Sequence, residues 1–100
     1  MLYSGDMGYK VACKLANISK KHQVMSVSHL PQICAMADNN IKVLKIVEEN
    51  NTIVSIVKLT GEDLLDEISR LSGGLKGNFA SLEHAKELKT RCENYKKSNR

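Results

Sequence analysis

The chain's single proline, Pro31, separates two kinds of backbone within a few residues. Its ring fixes φ and removes an N–H, which suits the first turn of a helix, so the sequence predicts a short helix from Pro31 to about Asp38. Directly before it runs Gln23-Val24-Met25-Ser26-Val27-Ser28, an apolar stretch too brief for a helix and rich in β-branched and flexible apolar residues. That pattern predicts a strand buried on both faces of a parallel sheet. His29 then falls in a β-to-α turn. Ligands of open α/β sheets bind outside the carboxyl ends of the strands, so a titratable side chain at this turn is placed to meet a phosphate or a substrate. The position equally suits a histidine capping the Pro31 helix, and spacing alone leaves both roles open.

Helical periodicity surrounds this unit. From Asp6 to about Lys21, Met7, Val11, Leu15 and Ile18 form one apolar stripe, leaving Lys10, Lys14, Lys20 and Lys21 to face water. Asp6 is a candidate cap, and Lys20-Lys21-His22 suits the negative pole of the helix. Beyond the polar Asp38-Asn39-Asn40, the β-rich runs Ile41 to Val47 and Thr52 to Leu59 flank Glu48-Glu49-Asn50-Asn51. They predict an antiparallel hairpin with a four-residue connection. Thr60 with Asp63 resembles a capping box, Leu64, Leu65, Ile68 and Leu71 mark the buried face of the next helix, and Gly73-Gly74 ends it. A last helix is predicted from Ser81 to about Lys97, with Leu82, Ala85, Leu88, Cys92 and Tyr95 inward. Lys86, Lys89, Arg91, Lys96, Lys97 and Arg100 interleave with Glu83, Glu87 and Glu93, which reads as a solvated face with i,i+4 pairs rather than a nucleic-acid surface.

The expected order is therefore α-β-α-β-β-α-α, an α/β chain with one buried strand plus a β-hairpin. At 100 residues it is one small domain. With 42% hydrophobic and 26% charged residues, it falls outside the disordered and fibrous classes. No window is apolar for the ~18 residues of a membrane span, and the first nine residues lack signal-peptide features, so a cytoplasmic location is expected. Cys13, Cys34 and Cys92 are odd in number and widely spaced, which argues for reduced thiols and against a disulfide framework or a zinc site. Cys13 and Cys34 fall among apolar residues and read as small hydrophobes. A Cys34 nucleophile with His29 as its base would lack a third, orienting group. The net charge of +4 permits contact with nucleic acid. A lone parallel strand would leave its backbone groups unpaired, so either a partner chain or a larger domain must supply its neighbours, and self-association of the isolated chain is expected.

Several segments together carry a family resemblance. Ser4-Gly5-Asp6-Met7-Gly8, Lys14-Leu15-Ala16-Asn17-Ile18-Ser19, His22-Gln23-Val24, Ser28-His29-Leu30-Pro31-Gln32-Ile33 and Ala37-Asp38 resemble the C-terminal end of RecN, a bacterial family acting in DNA double-strand-break repair. Glu62 to Gly74 and Leu82-Glu83-His84-Ala85-Lys86-Glu87-Leu88 resemble that family's closing helices. The resemblance implies part of an ATPase head like those of SMC and ABC-type proteins. It assigns 4–38 to the D-loop flank and the H-loop region, 41–59 to a β-hairpin and 60–97 to two C-terminal helices.

It also implies roles. His29 matches the H-loop histidine that reaches toward the γ-phosphate of ATP. Gln32 is a lesser candidate beside it, and Ser4-Gly5 matches the stretch beyond the D-loop that crosses to the opposing head. ATP and Mg²⁺ are implied for the intact protein, as are the rest of the head, a head-to-head homodimer, DNA as a partner and a nucleoid-associated location. The chain departs from a complete head. Its six glycines never form a G-x-x-x-x-G-K-[ST] loop, and no apolar strand ends in Asp-Glu. The expectation is a C-terminal fragment of a RecN-like ATPase that neither binds nor hydrolyses ATP unaided. The alternative is a small non-enzymatic module that binds DNA or a protein partner.

Overall fold

A computed structural model of the chain describes residues 5–73 and 79–99. Six elements follow in order: α1 (Gly5–Ile18), α2 (Pro31–Met36), β1 (Asn40–Glu48), β2 (Asn51–Leu59), α3 (Gly61–Leu71) and α4 (Phe79–Ser98). The chain is thus mixed α and β, with a two-stranded antiparallel sheet.

The four helices share a core of small side chains. Ala12 of α1, Ala35 of α2, Ile68 of α3, and Ala85 and Cys92 of α4 are fully buried, with Met36 and Leu64 nearly so. Small residues let helix backbones approach closely, so four short helices can exclude water with few large side chains. At Gly8, also buried, an added Cβ would lie 2.8 Å from the Gln32 amide. Gly8 thus meets α2, and Ala12 and Ala16, at steps of four from it, carry the same side of α1 into the core.

This reverses the expected orientation of α1. Met7, Val11 and Ile18 of the predicted inward stripe are exposed. Helical spacing identifies a face but not which face finds a partner, and here the small-residue face has one.

The predicted strand at 24–28 is the second correction. Residues 23–30 are neither helix nor strand, and β1 and β2 pair only with each other. Met25 and Val27 stand 88% and 103% exposed. A strand needs a neighbour for its ladder, and none of the described residues provides one. The order is accordingly α-α-β-β-α-α.

The hairpin forms as read, but with a tighter turn. Pairing runs from Asn40 with Leu59 to Glu48 with Asn51, leaving a two-residue connection, Glu49-Asn50, instead of four. Asn50 adopts a left-handed φ of 59°, which asparagine tolerates better than most residues and which lets the ladder continue to its last pair.

Thr60 is the N-cap of α3, yet its side chain makes no capping hydrogen bond. The expected box does not form, since Asp63 is one methylene shorter than the glutamate such a box uses. Gly61 begins the helix with φ 55°. At the other end Gly73, at φ 89°, donates its N–H to the Arg70 carbonyl at 3.0 Å, the left-handed stop expected of it. Gly74 lies outside the described residues.

Candidate functional site

The residues singled out by sequence converge on the entry to α2. Pro31 is the first residue of that helix and Leu30 its N-cap, with φ −89° and ψ 128° and no side-chain cap. His29 therefore does not cap α2. Ser28 Oγ accepts the Leu30 N–H at 3.0 Å, so a local hydrogen bond spans His29 and fixes the chain's direction into the helix. The histidine is exposed. It stands at the end of a segment that is neither helix nor strand, instead of a paired strand.

Gln32, on the first turn of α2, packs its amide against α1 at Gly8. Gly5 opens α1, three residues before that contact, while Ser4 lies outside the described residues. The fold thus brings the helix that begins at Gly5 against the helix that follows His29.

A six-residue helix gains little from its own hydrogen bonds. Two lysines of α4 hold it in place. Lys89 Nζ donates to the Ala35 carbonyl at 3.1 Å and to Glu93 Oε1 at 3.1 Å. Lys96 Nζ pairs with Asp38 at 3.0 Å and with Glu93 at 3.1 Å. Cations at the carboxyl end of α2 also suit its dipole. Burial disfavours the charge on Lys96, but the hydrogen bonds it donates to Asp38 and Glu93 prevail and raise its pKa. The i,i+4 pairing read for α4 is present in Lys89–Glu93. What sequence reasoning missed is that two of those lysines reach back to the α2 segment. Their signal is weak, because Lys–Glu spacing looks the same on a solvated helix.

The α1–α4 contact steadies the other side of the site. The Tyr9 and Tyr95 rings meet edge to face at 6.3 Å, the Arg91 guanidinium lies 3.6 Å from the Tyr9 ring centroid, and the Asn17 side chain donates to the Tyr95 hydroxyl at 3.0 Å. Such aromatic and cation–π contacts contribute roughly 0.5–1.5 kcal/mol each.

The thiols are poorly placed for chemistry. Burial raises the Cys34 pKa and pushes that of Cys92 to about 11, the reverse of the activation that a nucleophile needs. His22 and His84 are exposed. No group of three or more His, Cys, Asp or Glu side chains able to hold a metal ion occurs among the described residues, and no described helix is long and apolar enough to cross a membrane.

A shallow cleft of about 480 Å³ on α4 is lined by Lys86, Glu87, Thr90, Arg91 and Asn94, and one of about 140 Å³ between the carboxyl ends of α1 and α4 by Asn17, Lys20, Asp38, Tyr95 and Lys96; neither lining includes His29 or Gln32. The described residues place one exposed imidazole, His29, ahead of α2.

No family model matches the chain. Among curated proteins, it is 40% identical over 84 residues to the DNA repair protein RecN of Deinococcus radiodurans, covering 84% of the chain and 15% of that protein. It is 35% identical over 85 residues to RecN of Halalkalibacterium halodurans, covering 85% of the chain and 15% of that protein. The match to RecN of Bacillus subtilis is 30% over 93 residues, 93% of the chain and 16% of that protein. The chain spans about a sixth or less of the length of these relatives.

Proposed function

Because this chain belongs with the RecN proteins over 84–93 of its residues, we propose that it is the C-terminal part of a RecN-like ATPase head acting in recombinational repair of DNA double-strand breaks. Residues 4–38 bring the D-loop flank and the H-loop, 41–59 a hairpin, and 60–97 the closing helices. His29 is the contact to the γ-phosphate. Other segments of the head contribute the phosphate-binding loop and the carboxylates for Mg²⁺.

One observation carries this reading: the imidazole is exposed immediately before a short helix that is anchored on both sides. An imidazole held there can donate a hydrogen bond to a terminal phosphate as its charge rearranges, stabilising the state in which the bond to the leaving group breaks. ATP and Mg²⁺ supply the phosphoryl chemistry. The partners are the rest of the head, a second head in a homodimer and, through the intact protein, DNA in the nucleoid of the cytoplasm.

The test is His29→Ala in a complete RecN-like polypeptide that carries this segment. ATP hydrolysis should fall at least about tenfold, or ~1.4 kcal/mol in barrier, with ATP affinity nearly kept. Unchanged turnover would remove the assignment. The 100-residue chain itself should show no micromolar ATP affinity in a direct titration. It should also self-associate through the open strand edges and residues 24–28, and a monomer by light scattering at high concentration would count against that.

A further inference from the structure

The hairpin carries a surface that none of these roles uses. Its register sets Ile41, Val43, Lys45 and Val47 opposite Lys58, Ile56, Val54 and Thr52. Alternate strand residues point to opposite faces, so these eight share one side of the ribbon. The opposite side touches the helices at one end, where Lys42 pairs with Glu67 at 3.2 Å and Leu59 packs against the core, while its Leu44, Ile46, Ile53 and Val57 are half-buried to exposed. On the outer side Ile41 is 64% exposed, Val43 64%, Val47 72%, Val54 60% and Ile56 71%. Five large β-branched side chains thus stand in solvent on one continuous face, an arrangement that marks an interaction surface.

Shape and charge together select the occupant. Strands of nine residues run about 30 Å at ~3.4 Å per residue, and two strands ~4.8 Å apart make a ribbon about as wide as one helix. The face has the footprint of a single helix of about 20 residues. Its charged members are Lys45 and Lys58, both cationic. Two copies packed face to face would bring four ammonium groups together without a carboxylate, which disfavours a second copy as the cover. Polypeptide beyond this segment is ample, since the RecN relatives are more than six times longer than the matched stretch.

We propose that the outer hairpin face is the docking site of an amphipathic α-helix with an apolar stripe and acidic margins, contributed by polypeptide outside these 100 residues. The stripe covers Ile41, Val43, Val47, Val54 and Ile56, and the marginal carboxylates meet Lys45 and Lys58. The proposal rests on the ribbon and, for the source of its occupant, on the reading of the chain as part of a longer RecN-like protein; a failure of the His29 assignment leaves it standing.

The test uses the dilute 100-residue chain and two synthetic 20-residue helical peptides. Both carry a leucine stripe, one with glutamates on its margins and the other with lysines. The glutamate peptide should bind, perturb the NMR signals of residues 41–58, and weaken as ionic strength rises. Affinity should drop at least about tenfold in Lys45→Glu/Lys58→Glu and in Val43→Glu/Ile56→Glu, while circular dichroism shows both variants folded because all four positions face water. Lack of binding by the glutamate peptide, equal or tighter binding by the lysine peptide, or blockage of the face by self-association that Lys45→Glu/Lys58→Glu leaves intact would each overturn the proposal.

Discussion

The helical unit and the hairpin ribbon bury apolar surface to very different extents, although the ribbon carries the stronger apolar pattern. In the helices Ala12, Ala35, Ile68, Ala85 and Cys92 are sealed from water, and their helices are tied by Tyr9–Tyr95, Lys89–Ala35 and Lys96–Asp38. In the ribbon, isoleucines and valines line both strands, yet the outer face is bare. Burial follows the availability of a partner surface, and small residues provide one by letting backbones close in. The small-residue faces of the helices find partners among the described residues, while the ribbon's outer face, Met25 and Val27 do not.

The sharpest way to break this contrast is a pair of truncations. Ile68→Ala removes a fully buried side chain from α3 and should cost about 3 kcal/mol in urea unfolding, mostly through the cavity it leaves. Val43→Ala, on the open ribbon face, should cost under about 0.5 kcal/mol in the same experiment. Equal costs would mean that the ribbon is covered in solution.

The α1–α2 contact comes next. Gly8→Leu forces a side chain into the space of the Gln32 amide and should destabilise by about 1–3 kcal/mol. Because the obstacle is the end of a flexible side chain, Gln32→Ala in the same molecule should restore part of that loss. A double-mutant cycle with no coupling would show that the two helices do not meet there.

The ribbon's attachment to the helices depends on Glu67, which accepts hydrogen bonds from Arg70 and Lys42. The Arg70 guanidinium chiefly holds its carboxyl below the ordinary 4.5; burial opposes this and Lys42 adds to it. A carboxyl with a depressed folded pKa stabilises fully above its unfolded value and loses that contribution as pH falls through the folded one. Glu67→Gln should therefore cost roughly 1 kcal/mol at pH 7 and flatten the acid limb below about pH 4.5. An unchanged limb would mean that the ribbon is not anchored through this carboxylate.

Local chemistry made much of the fold legible. Pro31 announces α2, the alternating runs announce the hairpin, Gly73 stops α3, and the three- and four-residue steps of α4 identify its buried Ala85 and Cys92. What failed were statements about neighbours. Val24 to Ser28 has strand composition, but a strand is defined by a ladder that no described residue supplies. Met7, Val11 and Ile18 have the strongest helical stripe in α1, yet on another face Gly8 meets α2 and Ala12 and Ala16 enter the core. The site was legible as a position, His29 ahead of Pro31, because proline fixes that boundary. Its anchors, Lys89 and Lys96, were not, since a lysine that bridges to another helix has the same spacing as one that faces solvent.

The smallest stability effect should belong to the residue with the largest proposed chemical role. His29 is exposed, and the Ser28–Leu30 hydrogen bond that shapes its turn does not involve its side chain. His29→Ala should therefore change the unfolding free energy of the isolated chain by less than about 0.5 kcal/mol. Ser28→Ala removes the acceptor of the Leu30 N–H and should cost about 1 kcal/mol, while leaving the imidazole in place. In a complete ATPase the order should invert, with His29→Ala the more damaging to turnover. If His29→Ala instead lowers the stability of the isolated chain by 2 kcal/mol or more, the imidazole has a packing role, and the contrast between buried helix faces and exposed segments no longer holds at this turn.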